Sequence, residues 1–130
     1  MNALLVALGG AAGSVLRYWM SGVAQRLAPA TGAWSLFPVG TLAVNLLGCL
    51  LVGALAGIAD RRGALSPETR ALLMVGFLGG FTTFSAFANE TVAVWRAGAL
   101  MVAIVNVVMS VAICLVAVLA GRVLVGAVIK

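Results

Sequence analysis

Four stretches of this chain, at about residues 3–24, 37–59, 69–95 and 99–128, each run for 20 residues or more with at most two Asp, Glu, Lys or Arg. A helix needs roughly 20 residues to cross the hydrocarbon core of a bilayer. Only short connections remain, at about 26–35, 60–68 and 96–98. The chain is 64% hydrophobic and 8% charged, where a soluble domain carries about 25% charged residues. Water cannot solvate such a surface, so lipid is the expected solvent. The expectation is one all-α integral membrane domain over residues 1–130, with four transmembrane helices and no appended soluble domain. The first segment lacks the basic flank and small-residue cleavage site of a signal peptide. Four helices are too few for one chain to enclose a pore.

Composition excludes several chemistries. The absence of histidine removes histidine triads, imidazole metal sites and histidine proton relays. The net charge of +5 comes from basic residues spread along segment ends, where they anchor at headgroups. No basic stripe with interleaved aromatics points to nucleic acid. Cys49 and Cys114 lie deep in apolar runs without C-x-x-C spacing. They read as small buried hydrophobes, not as a disulfide or metal site.

Local signals place some contacts. Gly9-x-x-x-Gly13 and Gly53-x-x-x-Gly57 predict close helix–helix approach, which in lipid rests on van der Waals packing. Ser66-Pro67-Glu68 predicts a helix start, with Ser66 as N-cap and Pro67 at the first helical position.

The stretch from Gly76 to Glu90 is the least ordinary. It places Gly76, Gly79 and Gly80 near the middle of a span, then Thr82, Thr83 and Ser85 among Phe81, Phe84 and Phe87. Each glycine weakens a helix by about 1 kcal/mol relative to alanine, and the hydroxyls can bond freed backbone groups. A break in the third helix is expected, with a glycine packing groove in an intact helix as the alternative. Broken backbone at membrane depth must lie inside protein or against a water-filled cavity. Its carbonyls can bind a cation, and the restarted helix favours an anion.

Other polar residues within spans are few. Asn45 follows Thr41 by one turn, and Ser110 follows Asn106 by one turn. Two readings stay open: interhelical hydrogen bonds worth about 0.6–2 kcal/mol, or donors lining an ion path. Glu90 is the only carboxylate well within a span, close to Trp95-Arg96. Arg17, beside Tyr18 and Trp19, reads as an interfacial anchor that snorkels. Phe84 and Phe87 share a helix face. Spacing alone favours lipid contact or core packing for them. The alternative is that their positive ring edges offer a dehydrated anion weak contacts suited to conduction.

With four spans, Arg61, Arg62, Arg70, Lys130 and Arg122 fall on one side and Arg26, Arg96 and Arg17 on the other. The bias is modest, so either orientation can insert. An antiparallel pair of identical chains is physically possible, and no internal repeat supplies that symmetry within one chain.

Four blocks resemble one family, the Fluc fluoride channels, also called the CrcB family. They are Gly-Gly-Ala-Ala-Gly-Ser-Val-Leu-Arg-Tyr at 9–18, Gly-Thr-Leu-Ala-Val-Asn-Leu-Leu-Gly at 40–48, Gly-Phe-Leu-Gly-Gly-Phe-Thr-Thr-Phe-Ser-Ala-Phe at 76–87, and Ala97-Gly98 before the last helix. In this order they cover essentially the whole chain. The resemblance implies an antiparallel, dual-topology homodimer with two fluoride pathways at the subunit interface and a broken third helix. It implies a central structural sodium ion held by backbone carbonyls, which fall here on Gly79 and Thr82. Phe84 and Phe87 fall on the aromatic box, Asn45 on the pore-lining asparagine, and Ser110 on the polar track with Asn106. Thr83 and Ser85 are counted with the pathway. Glu90 and Arg17 match other polar positions. Ala86 stands where many members have Thr, and Asn106 where many have Tyr.

The implied function is passive, fluoride-selective export across the bacterial inner membrane to relieve fluoride toxicity, with no covalent chemistry. A proton-coupled small multidrug-type exporter would want a carboxylate in the first span, and none precedes Asp60. A non-transporting subunit of a larger complex would leave the glycine break and the polar faces without a task.

Overall fold

The computed structural model describes residues 2–28, 31–62 and 65–128. Pro29, Gly63 and Lys130, and the side chains of Arg61 and Arg62, lie outside the described residues. The chain forms α1 (Asn2–Arg26), a 3₁₀ turn (Gly32–Leu36), α2 (Val39–Arg62), α3 (67–81), α4 (Phe84–Arg96) and α5 (Leu100–Val128). Among the described residues, four spans are long and apolar enough to cross a membrane: Asn2–Arg26, Val39–Asp60, Pro67–Arg96 and Leu100–Ala127. The third contains α3 and α4 and is broken, as the sequence leads one to expect. Its first half also holds a wide π-helical stretch, Arg70–Leu78, which no residue pattern announces.

Side chains set the helix ends. The Gln25 amide closes the start of α2, accepting from the Gly40 N–H at 3.0 Å and donating to the Phe37 carbonyl at 3.3 Å. Ser66 caps α3 by accepting from the Thr69 N–H at 3.2 Å, with Pro67 next to it. The α4–α5 turn is a Schellman motif: Gly98 adopts φ 83°, its N–H reaches the Trp95 carbonyl, and the Ala99 N–H reaches Val94. Glycine takes that left-handed conformation without a Cβ clash.

Glycine seams pair the helices. Gly9 and Gly13 lie against Leu72, Phe77 and Phe81, while Gly76 and Gly80 lie against Val6 and Gly10. Gly53 meets Val118 and Gly57 meets Arg122. The two pairs are offset by the same 65 positions, so α2 and α5 run parallel. A Cβ on Gly9, Gly13 or Gly53 would overlap backbone of the facing helix, so both small-residue motifs are close-approach sites. A small core of Val94, Val102 and Ala103, with Phe37 and Ala99, closes the α4–α5 end. Elsewhere burial is sparse. Only 11% of the first span's apolar window is buried, which leaves that helix to face lipid or another chain.

Candidate functional site in the broken third span

The three glycines do not themselves break the helix. Gly79 keeps φ −64° and ψ −36°, and the chain leaves the helical path at Thr82 (φ −87°, ψ 159°) and Thr83 (φ −152°, ψ 118°). The Thr82 N–H and hydroxyl both reach the Leu78 carbonyl at 2.9 Å and end the first half. Thr83 caps the second half, its hydroxyl accepting from the Ala86 N–H at 3.1 Å and lying 3.3 Å from Ser85 Oγ.

Neighbouring helices hold this step. Asn45 Oδ1 accepts from the Thr83 N–H at 2.8 Å, and Asn45 Nδ2 donates to the Thr83 carbonyl at 3.1 Å. In a continuous helix, the Thr83 and Ala86 amides would bond the Gly79 and Thr82 carbonyls. Both amides are diverted to side chains, so these two carbonyls lack their helical partners. The donor set that the resemblance implies for sodium therefore fits a hard cation that takes oxygen ligands. Among the described residues, no group of three or more His, Cys, Asp or Glu could hold a metal.

Arg17 is placed differently from the interfacial anchor expected above. Its Nε donates to the Gly80 carbonyl at 3.1 Å, and Ser14 Oγ lies 3.4 Å from the same oxygen. An interrupted helix leaves a C-terminal carbonyl end of partial negative charge, which attracts a cation.

A groove of about 460 Å³ opens beside the step. Gly79, Thr82, Thr83, Phe84, Phe87, Asn45 and Ser110 all line it, and none of its lining residues is charged. Phe84 is 79% exposed, and its ring centroid lies 5.4 Å from that of Phe87. Cys49 and Cys114 also line the groove and are only half-buried. The reading of them as small buried hydrophobes is corrected, because the close α2–α5 seam turns both toward one cavity. Their spacing carried a signal: Cys49 follows Asn45 by four residues and Cys114 follows Ser110 by four, hence the same helix faces.

Behind the groove runs a polar chain. Ser110 Oγ donates to Asn106 Oδ1 at 3.3 Å, Asn106 Nδ2 donates to Thr91 Oγ1 at 2.8 Å, and Thr91 donates to the Phe87 carbonyl at 2.7 Å. Asn106 is 1% exposed and does not line the groove. Ser85 also stands outside the lining, beside Thr83. Glu90 faces a separate pocket of about 330 Å³ with Gln25 and Pro38, and its Oε2 is buried without a hydrogen-bond partner. Thr91 was not singled out from sequence; its only mark was a hydroxyl on the α4 face.

Residues 4–122 match the family described as CrcB-like protein, Camphor Resistance (CrcB). The chain belongs to the CrcB family. Among its relatives, this CrcB-family chain is 48% identical over 120 residues to the fluoride-specific ion channel FluC of Paracoccus denitrificans, covering 91% of this chain and 89% of that one. It is 46% identical over 113 residues to the protein of the same name from Methylobacillus flagellatus, covering 87% and 85%. It is 45% identical over 121 residues to that of Rhizobium johnstonii, covering 93% of each. The CrcB blocks quoted above fall inside the matched region, and the broken span with its groove lies at its centre.

Proposed function

We infer that this protein is a passive fluoride channel of the bacterial plasma membrane, a multi-pass protein that lets fluoride leave the cell and relieves its toxicity. The observation that carries this is the uncharged groove at the helix break, in a chain 45–48% identical to proteins named as fluoride-specific channels. Phe84 and Phe87 bring aromatic rings to the groove lining, whose edges would give an anion weak contacts, and the hydroxyl-bearing Ser110 and Thr83 line it too. Asn45 Nδ2 carries two hydrogens, one of them on Thr83, and the other serves the anion. Asn106 orients Ser110, and Ser85 adds a hydroxyl at the start of α4. Weak contacts without a fixed cation allow release as well as entry. A membrane potential drives the anion outward with roughly 2.3 kcal/mol per charge per 100 mV.

The groove is open on one side, so the path is completed by a second copy in an antiparallel, dual-topology homodimer. The sparse burial of α1 supports this, as does the exposure of Phe84 at the groove mouth. The Gly79 and Thr82 carbonyls, whose helical amide partners are diverted to side chains, would hold a structural sodium ion, which would supply positive charge to these backbone oxygens. Purified protein in liposomes should release fluoride, and not chloride, under a potassium diffusion potential. Absence of fluoride efflux would overturn the reading. Labelling of a tagged terminus in intact cells should mark about half the molecules; a single orientation would sink the antiparallel pair. Efflux should proceed without stoichiometric sodium movement, and coupled sodium flux would contradict the structural role.

A further inference from the structure

We propose that Cys49 and Cys114 form a two-thiol site for a soft d10 metal ion, on the wall of the groove between α2 and α5. The same offset of 65 positions that brings Gly53 to Val118 and Gly57 to Arg122 pairs Cys49 with Cys114, one turn earlier on both helices. Both line the groove and both are free thiols, half-buried. Two facing thiols suit an ion that accepts linear, two-coordinate ligation and prefers sulfur to oxygen. Mercuric ion satisfies this without net charge: each thiol loses one proton to water, two S–Hg bonds form, and the neutral dithiolate avoids the cost of an ion in an apolar seam. Placed beside Asn45 and Ser110, the bound metal narrows the groove.

Blockage of fluoride by the metal rests on the channel reading, whereas metal binding does not. The purified full-length protein, titrated with mercuric chloride, should retain one mercury per chain against excess glutathione, because two tethered thiols act at high effective concentration. Native mass spectrometry and thiol labelling read this directly. Cys49→Ser and Cys114→Ser should each lose the retained metal. No retention by the wild-type chain, or undiminished retention by either single variant, would overturn the site. In liposomes, mercury should slow fluoride efflux through the wild-type chain, and dithiothreitol should restore it. The double variant, compared with its own rate before mercury, should not respond. Retained mercury with undiminished efflux would keep the site and remove the groove from the fluoride path.

Discussion

Asn45 grips Thr83 by both of its backbone groups, accepting from the N–H at 2.8 Å and donating to the carbonyl at 3.1 Å. The side-chain amide thus stands in for a length of peptide. A residue 38 positions away in sequence fixes where the third span stops being a helix.

Asn45→Ala should therefore act on stability as well as on flux. It leaves the Thr83 N–H without a partner at membrane depth, a cost of about 1–3 kcal/mol, and takes one donor from the Thr83 carbonyl, which as the N-cap oxygen keeps its first bond within α4. Asn45→Asp keeps the acceptor, loses the donor and adds negative charge beside the groove. Its fluoride efflux should fall below that of the alanine variant. Thermal melting in detergent and efflux from liposomes, measured on the same preparations, give both readouts. An Asp variant that conducts as the wild type does would remove Asn45 from the path.

Phe84→Ile and Phe87→Ile retain bulk and apolarity but remove the ring edge. Efflux should drop while size-exclusion profiles stay unchanged. Rings that merely face lipid would tolerate isoleucine, so full flux in both variants counts against the pore assignment.

Gly53→Leu should separate α2 from α5. Its Cβ alone would overlap the Val118 backbone, and backbone cannot yield as a flexible side chain does. Gly10→Ala is the matched control, since its nearest neighbour is 3.8 Å from the new methyl group. The first variant should aggregate or melt at markedly lower temperature, and the second should melt as the wild type does.

Thr91→Val removes the acceptor of the Asn106 amide, which is 1% exposed. Stability should fall by about 1–3 kcal/mol, the cost of stranding a buried donor. Ser110→Ala removes a groove hydroxyl and should lower efflux more than it lowers the melting temperature. If the two variants swapped these effects, the division between support and pathway would be wrong.

What could be read from the residues alone was whatever depends on local pattern. Span number, the Ser66 cap and the glycine seams each follow from a few neighbouring residues. The break was legible as a region, but its position was not: glycine propensity pointed at 76–80, while Asn45 and the two threonine hydroxyls decide it at Thr82 and Thr83. Arg17 was misplaced because its partner is a carbonyl 63 positions away, on another helix. The pairing of Cys49 with Cys114, and the link from Asn106 to Thr91, likewise depend on the register between helices. That register is set by how far glycines let two backbones approach, and no single segment contains it.

The order in which the chain is made bears on the grip of Asn45. Synthesis runs from the N-terminus, so Asn106 enters the membrane after its acceptor Thr91 has already been delivered. Asn45 has no such provision. It arrives 38 residues before Thr83, and during that interval its amide has no backbone step to hold. A nascent chain halted between the two should keep α2 loosely seated and open to protease at its ends. Extension through α4 should close that window, which makes the third span the segment that completes insertion of the second.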